Sequence, residues 1–307
     1  MALSTIEKDL LDKVAGIHEI PEGAYNIRLN GEAFARASDE AIDIVPKADK
    51  PGIDILIRPG TKNKSVHIPV LLTKTGLKEL VYNDFHIGED ADVTIVAGCG
   101  IHNGGKESAE HSGIHSFFVG KNAKVKYIEK HYGTGDGNGE RVMNPQSVIV
   151  LDENAYMEMD TCQIGGVDST KRKTVATLKE GATLVVGEKI MTHGSQTAET
   201  DFSLDLIGEG AAAHVVSRSV AKDRSRQVFL SEVKGNAPCS GHTECDAIIM
   251  DDAQVSAIPK VCANHPDASL IHEAAIGKIA GEPRIKLMTL GLTEKEAEDT
   301  IINGFLK

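Results

Sequence analysis

The sequence predicts a mainly β fold, a parallel β-helix with short helices at both ends. A short phrase recurs, in which an apolar residue is followed by a Gly or acidic turn, an alanine and alternating β-formers. Its alanines are spaced 32, 32, 27, 29 and 42 residues apart, which is the range of stacked repeats. Aromatic residues make up only 4% of the chain, so Val, Ile, Leu and Ala must fill the layers. The alanines are Ala91, Ala123, Ala155, Ala182, Ala211 and Ala253.

Each repeat is interpreted as strand, tight turn, strand. The second strands are expected at residues 92–96, 124–128, 183–186 and 213–216. Because no helical pattern lies between them, a sheet built from βαβ units is disfavoured and a coil running between parallel sheets is favoured. An antiparallel sandwich remains the rival architecture, because hairpins also recur.

Three segments follow from this interpretation. Residues 1–52 are expected to hold an N-terminal helix, begun by the capping box of Ser4 and Glu7, and a lead-in stretch. Residues 53–280 are expected to form the β-helix. Residues 281–307 are expected to be helical, with a second capping box at Thr293 and Glu296. A terminal helical pair either caps the last coil or docks a partner, and the pattern alone favours capping.

Composition and motifs exclude several classes of function. The net charge of −12 and the lack of a basic cluster argue against nucleic acid. No apolar run has the length of a membrane span, and no signal peptide precedes the first helix, so a cytoplasmic protein with reduced thiols is expected. There is no phosphate-binding G-x-x-x-x-G-K-[ST] loop, G-x-S-x-G elbow or H-E-x-x-H motif. A P-loop ATPase, a serine hydrolase and a zinc protease therefore have no motif to support them.

Metal-ligand residues concentrate in two regions. The first contains Cys99, His102, His111 and His115. The second is richer, and thiolate, imidazole and carboxylate ligands together suit iron or zinc. Ligands far apart in sequence converge when coils stack about 4.8 Å apart, so Cys245 and Cys262 could face each other. The members of the second region are Cys239, His242, Glu244, Cys245, Cys262, His265, His272 and Glu273.

The C-terminal part contains CDAIIMDD at residues 245–252, HEA at 272–274 and GLTEKEA at 291–297, and through these motifs it resembles the SufB/SufD family. Residues 245–252 (CDAIIMDD) resemble the family's C-D-x-L-L-I-G-D strand, and residues 272–274 (HEA) resemble its H-E-A-T motif. Residues 291–297 (GLTEKEA) and 302–305 (INGF) are similar to the family's ending. Upstream, residues 97–99 (AGC) are similar to an E-G-C segment. The likeness covers about residues 50–307, and the chain resembles a short, minimal form of the family.

This resemblance implies a right-handed parallel β-helix that serves as a scaffold for iron–sulfur cluster assembly with a SufC-type ABC ATPase. It implies a homodimer, or a heterodimer with a related β-helix subunit, and a transient cluster; a possible flavin stays open. Transferred position by position, His272 and Glu273 are the expected metal ligands and Cys99 is the candidate for sulfur delivery. The expected partner-binding residues on the C-terminal helices are Leu292, Glu296, Ile301 and Phe305.

The chain departs from the family pattern at one point. Some SufB proteins carry a cysteine just before a T-x-P turn, where this sequence has Ala253 or Gln254. Cys245 or Cys262 is therefore proposed as the substitute metal ligand. Two alternatives stay open: a cluster-free structural subunit of the SufD kind, and a β-helix enzyme.

Overall fold

The computed structural model describes residues 3–279 and 281–307. In this part the helix α1 (Thr5–Ala15) precedes the strands, and the helices α2 (Gly281–Thr289) and α3 (Glu294–Phe305) follow them. The strands are β1 (Ala24–Leu29), β2 (Glu32–Ala37), β3 (Ile42–Pro46), β4 (Gly52–Ile57), β5 (Lys62–Leu72), β6 (Lys78–Ile87), β7 (Asp92–His102), β8 (Ala109–Val119), β9 (Lys124–Thr134), β10 (Arg141–Met143), β11 (Gln146–Leu151), β12 (Tyr156–Gly165), β13 (Ser169–Leu178), β14 (Thr183–Thr192), β15 (Thr197–Leu206), β16 (Ala212–Ala221), β17 (Arg226–Gly235), β18 (Ser240–Ile249), β19 (Gln254–Ala263) and β20 (Ser269–Gly277).

The strands form two sheets that the chain visits in turn, as predicted for a β-helix. The front sheet has the order β2-β1-β5-β7-β9-β12-β14-β16-β18-β20, and the back sheet runs from β3 through β4, β6 and β8 to β19. From β5 onward the described pairings are parallel, and the solenoid makes about eight turns. Among the strands of the described residues, antiparallel pairing is confined to β1 with β2 and β3 with β4, so the antiparallel sandwich is wrong.

The recurring phrase forms the turn between consecutive strands. In all six copies the alanine N–H donates to the carbonyl three residues earlier, at 3.0–3.3 Å. In five of them the residue before that alanine has a positive φ of 55–71°, which Asp, Asn and Gly tolerate best. These residues are Asp90, Asn122, Asn154, Gly181 and Gly210. The alanine methyl is buried each time, so the phrase fixes both the turn and the first layer of the core.

Alternating side chains fill the interior of the solenoid. Phe85 and Phe117 stack on successive coils of the back sheet with ring centroids 4.6 Å apart, and Tyr127 packs edge-on against Phe117 from the front sheet. All three side chains are fully buried. Burial of a large side chain contributes about 1.5–3 kcal/mol, so these layers are a main source of stability.

The N-terminal helix is confirmed, with its capping box and a left-handed Gly16 at its end. It packs Leu10 and Val14 over the outer face of β7, where Gly98 and Gly100 leave room for it. The predicted lead-in of residues 1–52 contains more structure than expected, because β1, β2 and β3 lie in it, and β1 and β3 join the two sheets by pairing with β5 and β4. The proposed boundary at Ala280 lies outside the described residues.

The C-terminal helices are also confirmed, but the expectation that they cap the last coil is wrong. Ile302 of α3 and its C-cap residue Leu306 pack against Val220, beside Ile248, on the flank of the front sheet. The apolar side of α3 is therefore buried against a row of side chains at the strand ends of the front sheet. In the described part, the final coil is left uncovered.

Candidate metal centre at the open end of the solenoid

The solenoid ends in two edge strands, β20 in the front sheet and β19 in the back sheet. Positions that are buried one coil earlier are exposed here. Cys245 and Ala247 are 2% and 3% exposed, whereas their register partners Ala274 and Ile276 are exposed, Ile276 by 38%. An apolar interior and two unpaired strand edges thus face outward at this end, which we call the open end.

Three potential metal ligands meet on the outer face of the front sheet beside the open end. Glu244 on β18 pairs in register with Glu273 on β20, and His242 lies two residues before Glu244 on the same face. One ligand atom from each of the three lies within 4.8 Å of those of the other two. His242 Nε2 lies 3.7 Å from Glu273 Oε2. This is the cluster that we call the outer triad.

The distances in the outer triad suit a cation better than direct hydrogen bonds. A separation of 3.7 Å is too long for a hydrogen bond, and His242 Nε2 is buried without a hydrogen-bond partner among the described residues. Two ligands that each bind an ion at about 2.1 Å lie at most about 4.2 Å apart. An ion between the imidazole and the carboxylate would therefore satisfy both.

The carboxylates around the triad repel one another. The side chain of Asp246 shares a hydrogen bond with Glu244, and this contact with partial burial raises the pKa of Glu244. The guanidinium of Arg218 lowers it in part. A divalent cation at this position would offset the same repulsion, since an opposite charge favours the ionised carboxylate.

His272 and Glu273, the two expected ligands, point to opposite faces of β20. Glu273 joins the outer triad, while His272 pairs in register with the inward-facing Thr243. The hydroxyl of Thr243 lies 2.8 Å from His272 Nδ1, which leaves Nε2 buried and unpartnered among the described residues. Burial and the neighbouring His242 lower the pKa of His272, which favours the neutral imidazole that binds metals.

Cys245 and Cys262 do not face each other within one chain. Cys245 points into the solenoid from the front sheet, in register with Ser217 and Ala274. Cys262 lies on the back sheet in register with Lys234, at an outward-facing position, and is half-buried. Burial, with Glu188 and Asp246 nearby, raises the pKa of Cys245 to about 12, so this thiol is protonated at neutral pH.

A row of buried polar side chains occupies the middle of the solenoid. Arg172 donates to Glu129, and its Nε lies 3.5 Å from Glu188 Oε1. Glu129 also accepts from Tyr127 at 2.9 Å, and His131 Nδ1 lies 3.4 Å from Arg172 Nη2. Burial alone would raise the pKa of Glu129, but the charges of Arg172 and His131 hold this pKa well below its usual range. The row is therefore an ionised network inside the fold.

Cys99 lies at one end of this row. It lines an enclosed cavity of about 10 Å³, room for roughly one water, together with His111, His115, Glu129 and His131. The thiol is 1% exposed, and burial with the charges of Glu79 and Glu129 raises its pKa well above the ordinary value. In this conformation Cys99 is a protonated, enclosed thiol.

The expected partner-binding residues lie on or just before α3 and have mixed surroundings. Leu292, Ile301 and Phe305 are partly buried, and the Glu296 carboxylate accepts from Thr293 in the capping box. The larger apolar exposure is on and after α2, at Ile285 (62%), Met288 (41%) and Leu290 (72%). These three side chains were not among the expected partner-binding residues, although their apolar character next to a charged helix was a usable signal.

His242 and Glu244 belong to the second metal-ligand region of the sequence but were not among the four expected ligands. Two signals could have singled them out. The two residues have the i, i+2 spacing that places side chains on one face of a strand. Glu244 and Glu273 are 29 residues apart, which is one coil in this repeat.

The comparisons with known proteins agree with this architecture. A family model described as the SufBD core domain of SUF-system FeS cluster assembly matches residues 80–305. Three archaeal proteins named as iron–sulfur cluster assembly SufBD family proteins are similar. The one from Archaeoglobus fulgidus is 30% identical over 274 residues, 88% of this chain and 72% of the relative. That from Methanocaldococcus jannaschii is 28% identical over 273 residues, 87% and 85% of the two chains.

The third, from Pyrococcus horikoshii, is 27% identical over 297 residues, 96% of this chain and 84% of the relative. Within the described residues, no helix combines the length and apolar character that a membrane crossing requires. With a SufBD core match over most of its length and a stacked parallel β-solenoid, the chain belongs to the SufBD family of iron–sulfur cluster assembly proteins.

Proposed function

We propose that this chain is the scaffold subunit on which an iron–sulfur cluster is built, in the cytosol and together with a SufC-type ATPase. The observation that carries the proposal is the open end. There, the outer triad, the unpartnered Nε2 of His272 and the thiol of Cys245 lie within two neighbouring coils. Imidazole and carboxylate ligands hold iron, and thiolates suit iron–sulfur clusters.

The open end also supports a dimer in this proposal. Edge strands such as β19 and β20 pair readily with another strand unless something covers them. A second copy of the chain, or a related β-helix subunit, would cover the exposed Ile276 and continue both sheets. His272 and Cys262, on the two last strands, would then lie near the junction and could contribute ligands from both subunits.

The exposed apolar side chains of the C-terminal helical pair support docking of the ATPase. Ile285, Met288 and Leu290 are exposed, while α3 anchors the pair through Ile302. A partner that binds these side chains would pull on the flank of the front sheet, next to Ile248 of β18. ATP hydrolysis would then belong to the partner subunit and reach the open end through that strand.

Cys99 remains the proposed acceptor of sulfur. The buried polar row supports this role, because charged or polar groups extend from Cys99 past Glu129 and Arg172 to Glu188, near Cys245. The enclosed, protonated thiol must become accessible before its thiolate can attack the outer sulfur of a donor persulfide, a transfer that leaves a persulfide on Cys99 and releases the donor's thiolate. Local opening of the coil is therefore part of the proposal.

Anaerobic reconstitution with ferrous iron and sulfide tests the scaffold role. We expect the purified chain to gain visible absorption of an iron–sulfur cluster and to transfer that cluster to an apo-ferredoxin. Cys99→Ser should leave reconstitution with free sulfide intact and impair assembly from a protein sulfur donor, whereas Cys162→Ser serves as the matched control. A chain that binds the ATPase and takes up neither iron nor sulfide would instead be the cluster-free structural subunit.

Docking is tested separately by capture of the ATPase. Leu290→Glu should weaken capture, because it places a charge in the exposed apolar patch of the helical pair. Ile6→Glu, an equally simple change at an exposed residue of α1, should not. Equal capture by both variants would refute this docking surface.

A further inference from the structure

We infer that the outer triad of His242, Glu244 and Glu273 is a mononuclear site that takes up ferrous iron as substrate, before sulfide is added. The inference deepens the proposed function and depends on it only for the identity of the ion as iron. The geometry and chemistry of these three side chains define the site.

The topology delivers the three ligands from two neighbouring coils. Register pairing of Glu244 with Glu273 stacks the carboxylates, and the alternation of the strand puts His242 on the same outer face. Along the same row, the preceding coils carry Val216, Gly187 and Asp160, in register with Glu244. The coincidence of two carboxylates and an imidazole therefore occurs where the solenoid ends.

The ligand atoms are placed for one ion. All three lie within 4.8 Å of one another, and the separation of 3.7 Å from His242 Nε2 to Glu273 Oε2 fits a shared cation better than a hydrogen bond. His242 Nε2 is buried and has no hydrogen-bond partner among the described residues, so a bound cation would satisfy its lone pair.

The donor set selects the class of ion. One imidazole and two carboxylates without a thiolate suit a hydrated divalent ion such as Fe²⁺, Co²⁺, Mn²⁺ or Zn²⁺. Three protein ligands leave positions for water, which makes the ion exchangeable. The side chain of Glu273 is 64% exposed and that of His242 is 32% exposed, so the ion can reach the site from solvent.

The site is complete within one chain. His272 and Cys245 face the interior of the solenoid, on the opposite side of the front sheet from the triad. An ion held by the triad is thus separated by one sheet from the inward thiol and imidazole. Iron would therefore be taken up first at the triad, on the outer face of the front sheet. The cluster would then be built at the neighbouring open end.

Cobalt(II) titration of the purified full-length chain, without sulfide, tests the site. We expect one ion per chain, with visible d–d absorption and without the stronger thiolate-to-cobalt charge-transfer absorption. Glu244→Gln and His242→Asn should each weaken cobalt binding by roughly tenfold or more, since even outer partners of metal ligands change affinity by 10–100-fold. Asp160→Asn removes one carboxylate from the same row three coils away and should leave the affinity unchanged.

Two results would overturn the inference: thiolate-to-cobalt charge transfer in the wild-type protein, or equal affinity in Glu244→Gln, His242→Asn and Asp160→Asn. Circular dichroism of each variant verifies the fold. The same variants separate this inference from the scaffold proposal. Cobalt binding that depends on the triad supports the site even if no cluster can be reconstituted, whereas cluster reconstitution with no triad-dependent cobalt binding overturns the site and leaves the scaffold.

Discussion

Replacement of Arg172 by Met should destabilise the protein strongly and in a pH-dependent way. The side chains of Arg172, Glu129 and Glu188 are 5%, 3% and 1% exposed, and the guanidinium lies between the two carboxyls. Methionine keeps much of the apolar volume and removes the charge. Because the carboxylate of Glu129 then lacks its main partner inside the fold, we expect a loss of about 3–5 kcal/mol at neutral pH, the usual cost of breaking a buried ion pair.

The pH dependence follows from the state of Glu129. In the wild-type protein its lowered pKa gives a contribution to stability that is complete above the unfolded pKa of about 4.5 and is lost as the pH falls through the lowered pKa. In Arg172→Met, burial without the partner raises that pKa, so folding takes up a proton. Protonation costs about 4 kcal/mol at pH 7.5 and about 1.4 kcal/mol at pH 5.5, at about 1.4 kcal/mol per pH unit.

The destabilisation should therefore shrink by roughly 2–3 kcal/mol between pH 7.5 and pH 5.5. Burial already raises the pKa of Glu188, and loss of Arg172 acts on it in the same direction. Urea unfolding followed by far-ultraviolet circular dichroism at both pH values measures the effect. Lys126→Met, which removes an exposed ion pair with Glu158, is the control and should leave the midpoint unchanged. A loss below about 1 kcal/mol, or one equal at both pH values, would refute the reasoning.

Three further predictions concern packing, backbone and assembly. Phe117→Ala should cost about 3–5 kcal/mol in urea unfolding, whereas Phe118→Ala, at the half-exposed neighbouring position, should cost far less; similar losses would contradict the assignment of the interior. Gly166 and Gly194 both have positive φ, but a Cβ at Gly166 would clash with the backbone oxygen of Gly133 on the neighbouring coil, whereas no described atom lies within 4 Å of one at Gly194. Gly166→Ala should therefore lower the urea midpoint well beyond Gly194→Ala, and equal shifts would exclude the close approach. Ile276→Glu should convert a dimer to a monomer in sedimentation experiments, and an unchanged mass would show that the open end is not the interface.

The fold could be predicted because its signal is local and repeated. Each copy of the phrase specifies a tight turn through a residue such as Asn122 and a buried methyl such as that of Ala123. The spacing of the first five copies then gives the length of a coil, whereas the sixth, at Ala253, precedes the back-sheet strand β19. The partner of the amphipathic α3 could not be predicted, because an apolar stripe can pack on the end of a solenoid as well as on its flank.

The candidate site was only partly predictable. His272 and Glu273 were both expected to be metal ligands because they resemble a family motif. Adjacent residues in a strand, however, point to opposite faces of the sheet. Glu129, Arg172 and Glu188 come together across both sheets, and their convergence depends on coil lengths that vary between 27 and 32 residues. Such contacts follow from the three-dimensional register and have no short sequence signature.

The scaffold role is tested most directly by the content of iron and acid-labile sulfide per chain, after anaerobic copurification with the cognate ATPase. We expect near-stoichiometric amounts of both, a marked decrease in Glu273→Gln, and no change in Asp160→Asn, the carboxylate control on the same face of the front sheet. Retention of the ATPase with neither iron nor sulfide on the wild-type chain would contradict the claim that this SufBD protein is an assembly scaffold.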